Sequence, residues 1–239
     1  CDEYNGHIIA RLTALRKYVE EEGDLPLNLT FMIEGAEESA STDLEKYLEK
    51  HAEKLLPADF LIWEQGIKNV SGQLEITGGN KGIVTFDLSV KSASVDIHSK
   101  LGGVIESATW YLLKAINSMR DDKGRILIDD IYEQVQRPSP RELELVEQYA
   151  IENGDNLSQL YDLKLPVMLE DRRDFLRRYF FEPALTIEGI SSGYLGQGVK
   201  TIIPSTATAK MEMRLVPGLT PLDVIDKIKR HLLRHGFDQ

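Results

Sequence analysis

Cysteine is almost missing: the 239 residues hold one, Cys1. A lone thiol builds no disulfide framework within a chain, so the fold must rest on packing, and a reducing, cytoplasmic setting is expected. No run of about 18 apolar residues occurs, and no signal-type apolar segment, so no membrane span is expected. Basic charge is short as well. Lys and Arg number 28 against 39 Asp and Glu, a net charge of -11. No stretch gathers the basic residues into the stripe that a phosphate backbone requires, which argues against nucleic acid as a partner. Internal repeats and low-complexity tracts are lacking too. So is a starting methionine; with a helical pattern opening within a few residues, the chain is expected to be cut from something longer.

What is present suffices for two cores, and the composition shifts place them at 1–80 and 81–239. In the first, Ile8, Ile9, Leu12, Leu15 and Val19 recur at helical spacing, and Gly23 closes the pattern. Leu27, Leu29, Phe31 and Ile33 alternate as in a strand. Thr42 with Glu45 fits a capping box opening a helix over 43–55. Residues 59–63 form a short apolar run between acids, the pattern of a buried parallel strand. Helix, strand, helix, strand predicts part of a doubly wound α/β layer.

The second region predicts strands within 83–98, a helix over 101–119, a helical insertion at about 122–182, strands at 185–190 and 201–216, and a last helix opened by Pro221. On that last helix Leu222, Ile225, Ile228, Leu232 and Leu233 are expected to face inward. This order is that of an α+β, ferredoxin-like split βαβ unit lacking one strand.

Chemistry concentrates in Glu34-Gly35-Ala36-Glu37-Glu38-Ser39-Ala40-Ser41, a loop directly after the 27–33 strand. Loops at the carboxyl ends of strands in open α/β sheets gather ligands. Two adjacent carboxylates repel unless a cation or a shared proton offsets them, which favours a metal. An acidic, solvated helix N-terminus explains the same residues equally simply, and spacing alone leaves both readings open.

Four stretches, in order, resemble the M20 metallopeptidases, a dinuclear zinc group that includes carnosinase-like dipeptidases and N-acyl amino acid deacylases. They are the acidic loop; Asp96-Ile97-His98-Ser99 with Gly102-Gly103; Lys200-Thr201 through Pro204; and Met213-Arg214-Leu215-Val216-Pro217. The resemblance implies a hydrolase of peptide or N-acyl amide bonds. Glu37 is the implied base for the metal-bridging water, Glu38 and Glu64 are implied zinc ligands, and Asp2 resembles the carboxylate that bridges the two metals. At this last point the sequence departs from the family, reading Asp2-Glu3-Tyr4-Asn5-Gly6 with one extra residue and no lysine, so Glu3 is the alternative in a shifted register. His98 is implied as an oxyanion donor in a lid domain and Arg214 as the clamp on a substrate carboxylate. Two zinc ions per site are implied, with manganese or cobalt as substitutes.

Histidine ligands that the family supplies from flanking segments have no counterpart here. His7, His51, His231 and His235 are read as solvated or core residues instead. The chain alone is therefore expected to load metal sparsely and to be inert. The family also implies a homodimer made through the lid, here the 101–119 helix and the 83–90 strand, with His98 serving its partner's site. A non-catalytic lid and dimerisation module is the alternative from another class.

Overall fold

The computed structural model of the protein describes residues 5–37, 41–63, 67–68, 72–152, 162–165, 168–169 and 171–237. It divides into two compact units, Cys1–Thr77 and Gly78–Gln239.

In the first unit, helix α1 spans Asn5–Glu22. Gly23 ends it at φ +88°, its N–H donating to the Val19 carbonyl at 2.9 Å, a left-handed closure that a residue with Cβ resists. Two expected strands are absent. Residues 27–33 and 59–63 enter no ladder among the described residues, and Leu27, Leu29, Phe31, Ile33, Phe60, Leu61 and Ile62 are exposed. Alternation or a short apolar run signals a strand only when a neighbouring strand and a covering layer stabilise it, and this unit, taken by itself, offers these segments neither.

The capping box is also corrected. Ser41 takes φ +49° and its carbonyl accepts from Leu44 N at 2.9 Å, so 41–43 form a turn. Asp43, not Thr42, precedes α2 (Leu44–Lys50), and no side chain caps it. The expected single helix over 43–55 breaks at His51 (φ -113°, ψ 13°), whose ring lies 4.5 Å from that of Tyr47; α3 is the short remainder, Ala52–Leu55. A small antiparallel pair, β1 (Ile67–Lys68) and β2 (Leu74–Glu75), follows.

The second unit is built on a three-stranded antiparallel sheet of β3 (Gly82–Lys91), β5 (Ala184–Ser192) and β7 (Thr206–Leu215), in the order β3-β7-β5. That order is the one a split βαβ unit gives its first three strands. Central β7 is the clearest product of period-two patterning. Ala207, Ala209, Met211, Met213 and Leu215 are buried, while Thr206, Lys210 and Arg214 point to solvent. Helices α4 (Ala108–Ser118) and α7 (Pro221–Arg234) add Ala108, Leu112, Ala115, Val224, Ile228 and Leu232 to the same core. Each large side chain so buried stabilises by about 1.5–3 kcal/mol.

Helix α4 begins seven residues later than its apolar pattern predicts. Gly102 and Gly103 follow a short 3-10 turn, and Ser107 takes over as N-cap, its Oγ accepting from Trp110 N at 3.1 Å. On α7, Pro221 opens the helix as expected, with Thr220 as its N-cap, but the buried stripe is rotated. Leu222 and Leu233 are exposed; Val224, Lys227 and His231 are buried in their place. Two further elements complete the unit. A two-stranded ladder joins β4 (Ile97–His98) to β6 (Ile202–Ile203), and the insertion carries α5 (Pro140–Glu152) and α6 (Arg172–Phe181), held by an edge-to-face contact of Tyr149 with Phe180.

Candidate functional site

Of the residues expected to act, Asp2, Glu3, Glu38 and Glu64 lie outside the described residues. Glu37 is exposed at the edge of the acidic loop, where Ser41 N donates to Ala36 O at 3.0 Å. Ser41 holds a left-handed conformation uncommon for a residue with Cβ, the kind of local strain that clusters at ligand-binding loops. Within the same unit, Arg11 on α1 donates from Nη2 to the Trp63 carbonyl at 2.8 Å, which brings α1 beside the residue preceding Glu64.

His98 sits on a firmly anchored turn. Ile97 pairs with Ile203 and His98 with Ile202, and Ser99 N donates to Thr201 O at 3.0 Å. Beneath it, one oxygen of the Asp96 carboxylate accepts from both the backbone N–H and the hydroxyl of Ser205, each at 3.0 Å. Those two bonds favour the ionised form, so the Asp96 carboxyl titrates below its ordinary value; nearby Lys200 acts in the same direction. Asp96 stands at the head of the quoted motif, but nothing in the sequence announced Ser205 as its partner beyond a short polar side chain just before β7. His98 itself is exposed, and its Nδ1 accepts from Lys100 N at 3.2 Å. An Nδ1 that accepts carries no proton, so the neutral ring bears its proton on Nε2, directed away from the backbone as a donor.

Arg214 lies on the solvent face of β7, between Ile83 of β3 and Ala184 of β5. Its Nε donates to Glu212 Oε1 at 3.2 Å, which holds the guanidinium along the strand while the two Nη groups remain for a planar, bidentate partner. Glu182 anchors the neighbouring Lys81, whose Nζ donates to the Glu182 carbonyl at 2.6 Å; burial lowers the Lys81 pKa, with Arg214 adding to the effect and Glu182 opposing it.

The fold does not bring His98 and Arg214 together. The eight-residue step from Thr206 to Arg214 covers about 26 Å at ~3.3 Å per residue, and the His98 turn is attached before the Thr206 end. Among the described residues, one group of side chains is arranged to hold a metal ion: Asp129, His231 and His235. By sequence both histidines read as solvated or core residues, although a His-x-x-x-His spacing on a helix signals a shared face.

Comparison with known proteins adds the following. Residues 78–238 match the peptidase dimerisation domain of the M20 peptidases. The chain is 30% identical over 237 residues to the human Beta-Ala-His dipeptidase, covering 95% of this chain and 45% of that protein. It is 27% identical over 233 residues to the Schizosaccharomyces pombe Cys-Gly metallodipeptidase dug1, covering 96% of this chain and 48% of that protein. Among solved structures it superposes on the M20 family metallo-carboxypeptidase Sso-CP2 of Sulfolobus solfataricus with a TM-score of 0.88 and 31% identity, over 99% of this chain and 53% of that one. The chain thus spans about half the length of the relatives it matches.

Proposed function

We propose that this chain, which belongs to the M20 peptidase family, contributes the acidic loop and the lid of a metal-dependent hydrolase that cleaves small peptides bearing a free carboxylate. The similarity to named dipeptidases extends over both units, the acidic loop as well as the lid, and this supports a peptide substrate over an N-acyl amino acid. Asp2, Glu38 and Glu64 would hold part of a divalent-metal centre. Zinc accepts carboxylate oxygens, and manganese or cobalt accepts them too, while the imidazole that zinc favours is not supplied by these three. Such an ion, when bound, supplies Lewis acidity and a water of lowered pKa.

The chain's own residues then have separable tasks. Glu37 takes the proton of the attacking water and delivers it to the leaving amine. His98 donates from Nε2 to the oxygen that gains charge as the carbonyl carbon becomes tetrahedral, the tautomer being set by Lys100 N. Arg214 clamps the substrate carboxylate with its two Nη groups.

The observation that carries the reading is the spacing along β7. A dipeptide spans about 7 Å, far less than the ~26 Å that separates Arg214 from the Thr206 end of β7, so one lid does not present His98 and Arg214 to the same substrate. A two-fold homodimer resolves this: each site draws its His98 from the lid of the other copy.

The test uses the full-length protein that carries this chain. Glu37→Ala abolishes dipeptide turnover and keeps the bound metal, whereas Glu38→Ala loses metal as well. Mixing inactive His98→Ala with inactive Glu37→Ala subunits restores part of the activity, because one of the two sites in a mixed dimer is intact. No recovery, with subunit exchange demonstrated by mass spectrometry, refutes the shared site.

A further inference from the structure

The C-terminal end of α7 holds an arrangement that the proposed hydrolase does not use. His231 and His235 are one helical turn apart on a common face, with ring centroids 4.2 Å apart. Across from them, in the turn after Ile128, Asp129 places Oδ2 at 3.8 Å from His231 Nδ1. One ligand atom from each of the three residues lies within 4.8 Å of the others.

The hydrogen bonds fix the tautomer of His231, which is 0% exposed. Its Nε2 lies 3.2 Å from Ser118 Oγ on α4. That hydroxyl donates its only proton to the Ala115 carbonyl at 2.7 Å, so toward the imidazole it can only accept, and Nε2 must carry the N–H. Nδ1 is then a bare lone pair. It is buried, has no hydrogen-bond partner, and faces a carboxylate oxygen. Two lone pairs held toward each other at the edge of the core are unfavourable, and a cation between them converts the contact into an attraction.

We propose that Asp129, His231 and His235 form a second divalent-metal site, suited to zinc and separate from the acidic loop. Two ligands about 2.0–2.2 Å from a tetrahedral zinc ion stand roughly 3.3–3.6 Å apart, so the 3.8 Å between Nδ1 and Oδ2 has to close slightly to take one. Two imidazoles and a carboxylate with an open fourth position for water is a donor set zinc commonly takes. The bond from His231 to Ser118 supplies the outer support that orients a metal-binding imidazole. Two cations lie near. Arg234 donates to Asp129 Oδ2 at 3.2 Å from a largely exposed position and can swing aside, and Lys227, one turn back, is paired with Asp223. Beyond His235 the backbone is held by Tyr111 Oη donating to the Gly236 carbonyl at 2.9 Å, which anchors the chain next to the second imidazole. Binding would tie the end of α7 to the turn that follows α4.

This site does not rest on the hydrolase reading, and its test separates the two. The 239-residue chain, stripped with chelator, is titrated with Zn2+ and with Co2+. One equivalent should bind, with visible d–d absorption for Co2+ and with imidazole 15N shifts in which His231 keeps its Nε2 proton while Nδ1 moves. His235→Ala, a change at an exposed position, and Asp129→Asn should each weaken that equivalent at least about tenfold, and Ser118→Ala about 10–100-fold, the usual cost of losing an outer-shell partner. Glu38→Ala should leave it intact. Zinc affinity unchanged in both His235→Ala and Asp129→Asn, or no binding at micromolar zinc, overturns the proposal.

Discussion

Gly218, in the turn from β7 to α7, gives the most demanding test of the fold. Its φ is +98°, and a Cβ built there would come within 2.8 Å of the Gln134 carbonyl carbon and closer still to its oxygen. The obstacle is backbone, which cannot rotate away as a side-chain tip does. The same approach carries a hydrogen bond, Gln136 N donating to Pro217 O at 3.0 Å. Gly218→Ala therefore costs a left-handed backbone strain of about 1–2 kcal/mol and, as the two segments part, a hydrogen bond worth about 0.5–1.5 kcal/mol net. For a domain of this size about 2–4 °C is lost per kcal/mol, so the melting temperature should fall by roughly 3–14 °C. Gly236→Ala is the control. Gly236 also has positive φ, +80°, but its Cβ would meet nothing within 4 Å, so only the strain remains. Circular dichroism during thermal and urea unfolding reads both variants. If Gly218→Ala is no worse than Gly236→Ala, the close approach of 134–136 to this turn is wrong.

Two further outcomes follow from the same unit. Met213 is 0% exposed and stands between Val84 and Leu185 in the sheet, so Met213→Ala should cost about 2–5 kcal/mol in urea unfolding, whereas the volume-conserving Met213→Leu should cost less than about 1.5; equal, small losses in both would refute the packing. For Asp96, bonds from Ser205 hold the folded carboxyl below the unfolded value of about 3.9. Its stabilisation is thus complete above that value and is lost as pH falls toward the folded one. Asp96→Asn should flatten the decline of stability below about pH 4, and an unaltered decline would remove the anchor from the account.

The second unit could be read from its residues because it contains its own partners. β7 alternates between two flanking strands under two helices, so period and burial agree residue by residue from Ala207 to Leu215. Helix starts were misjudged where local chemistry overrode the apolar pattern: Ser107 with the two glycines delayed α4, and Ser41 displaced Thr42 as the turn into α2. Segments 27–33 and 59–63 were misjudged for a different reason, since a parallel strand is specified by neighbours and the pattern says nothing of whether those neighbours pair with it. The apolar pattern puts Leu222 and Leu233 on the inner stripe and leaves His231 open between solvent and core; a rotation of the helix by about one residue, some 100° at 3.6 residues per turn, exchanges the two leucines for Val224, Lys227 and His231.

The position of Arg214 is coupled to the core in a way that makes its outward direction dependable. Met213 and Leu215 on either side of it are buried, and β7 is paired along both edges, so a one-residue slip would drive the guanidinium into the core and lift five apolar side chains into water. No such slip is compatible with folding of this unit. The same strand fixes the distance from Arg214 back to Thr206, and the Asp96–Ser205 bonds fix the His98 turn to that opposite end. Packing thus determines both where the proposed carboxylate clamp points and how far it stands from the proposed oxyanion donor. The need for a second copy at each proposed site is in that sense a consequence of the length of β7.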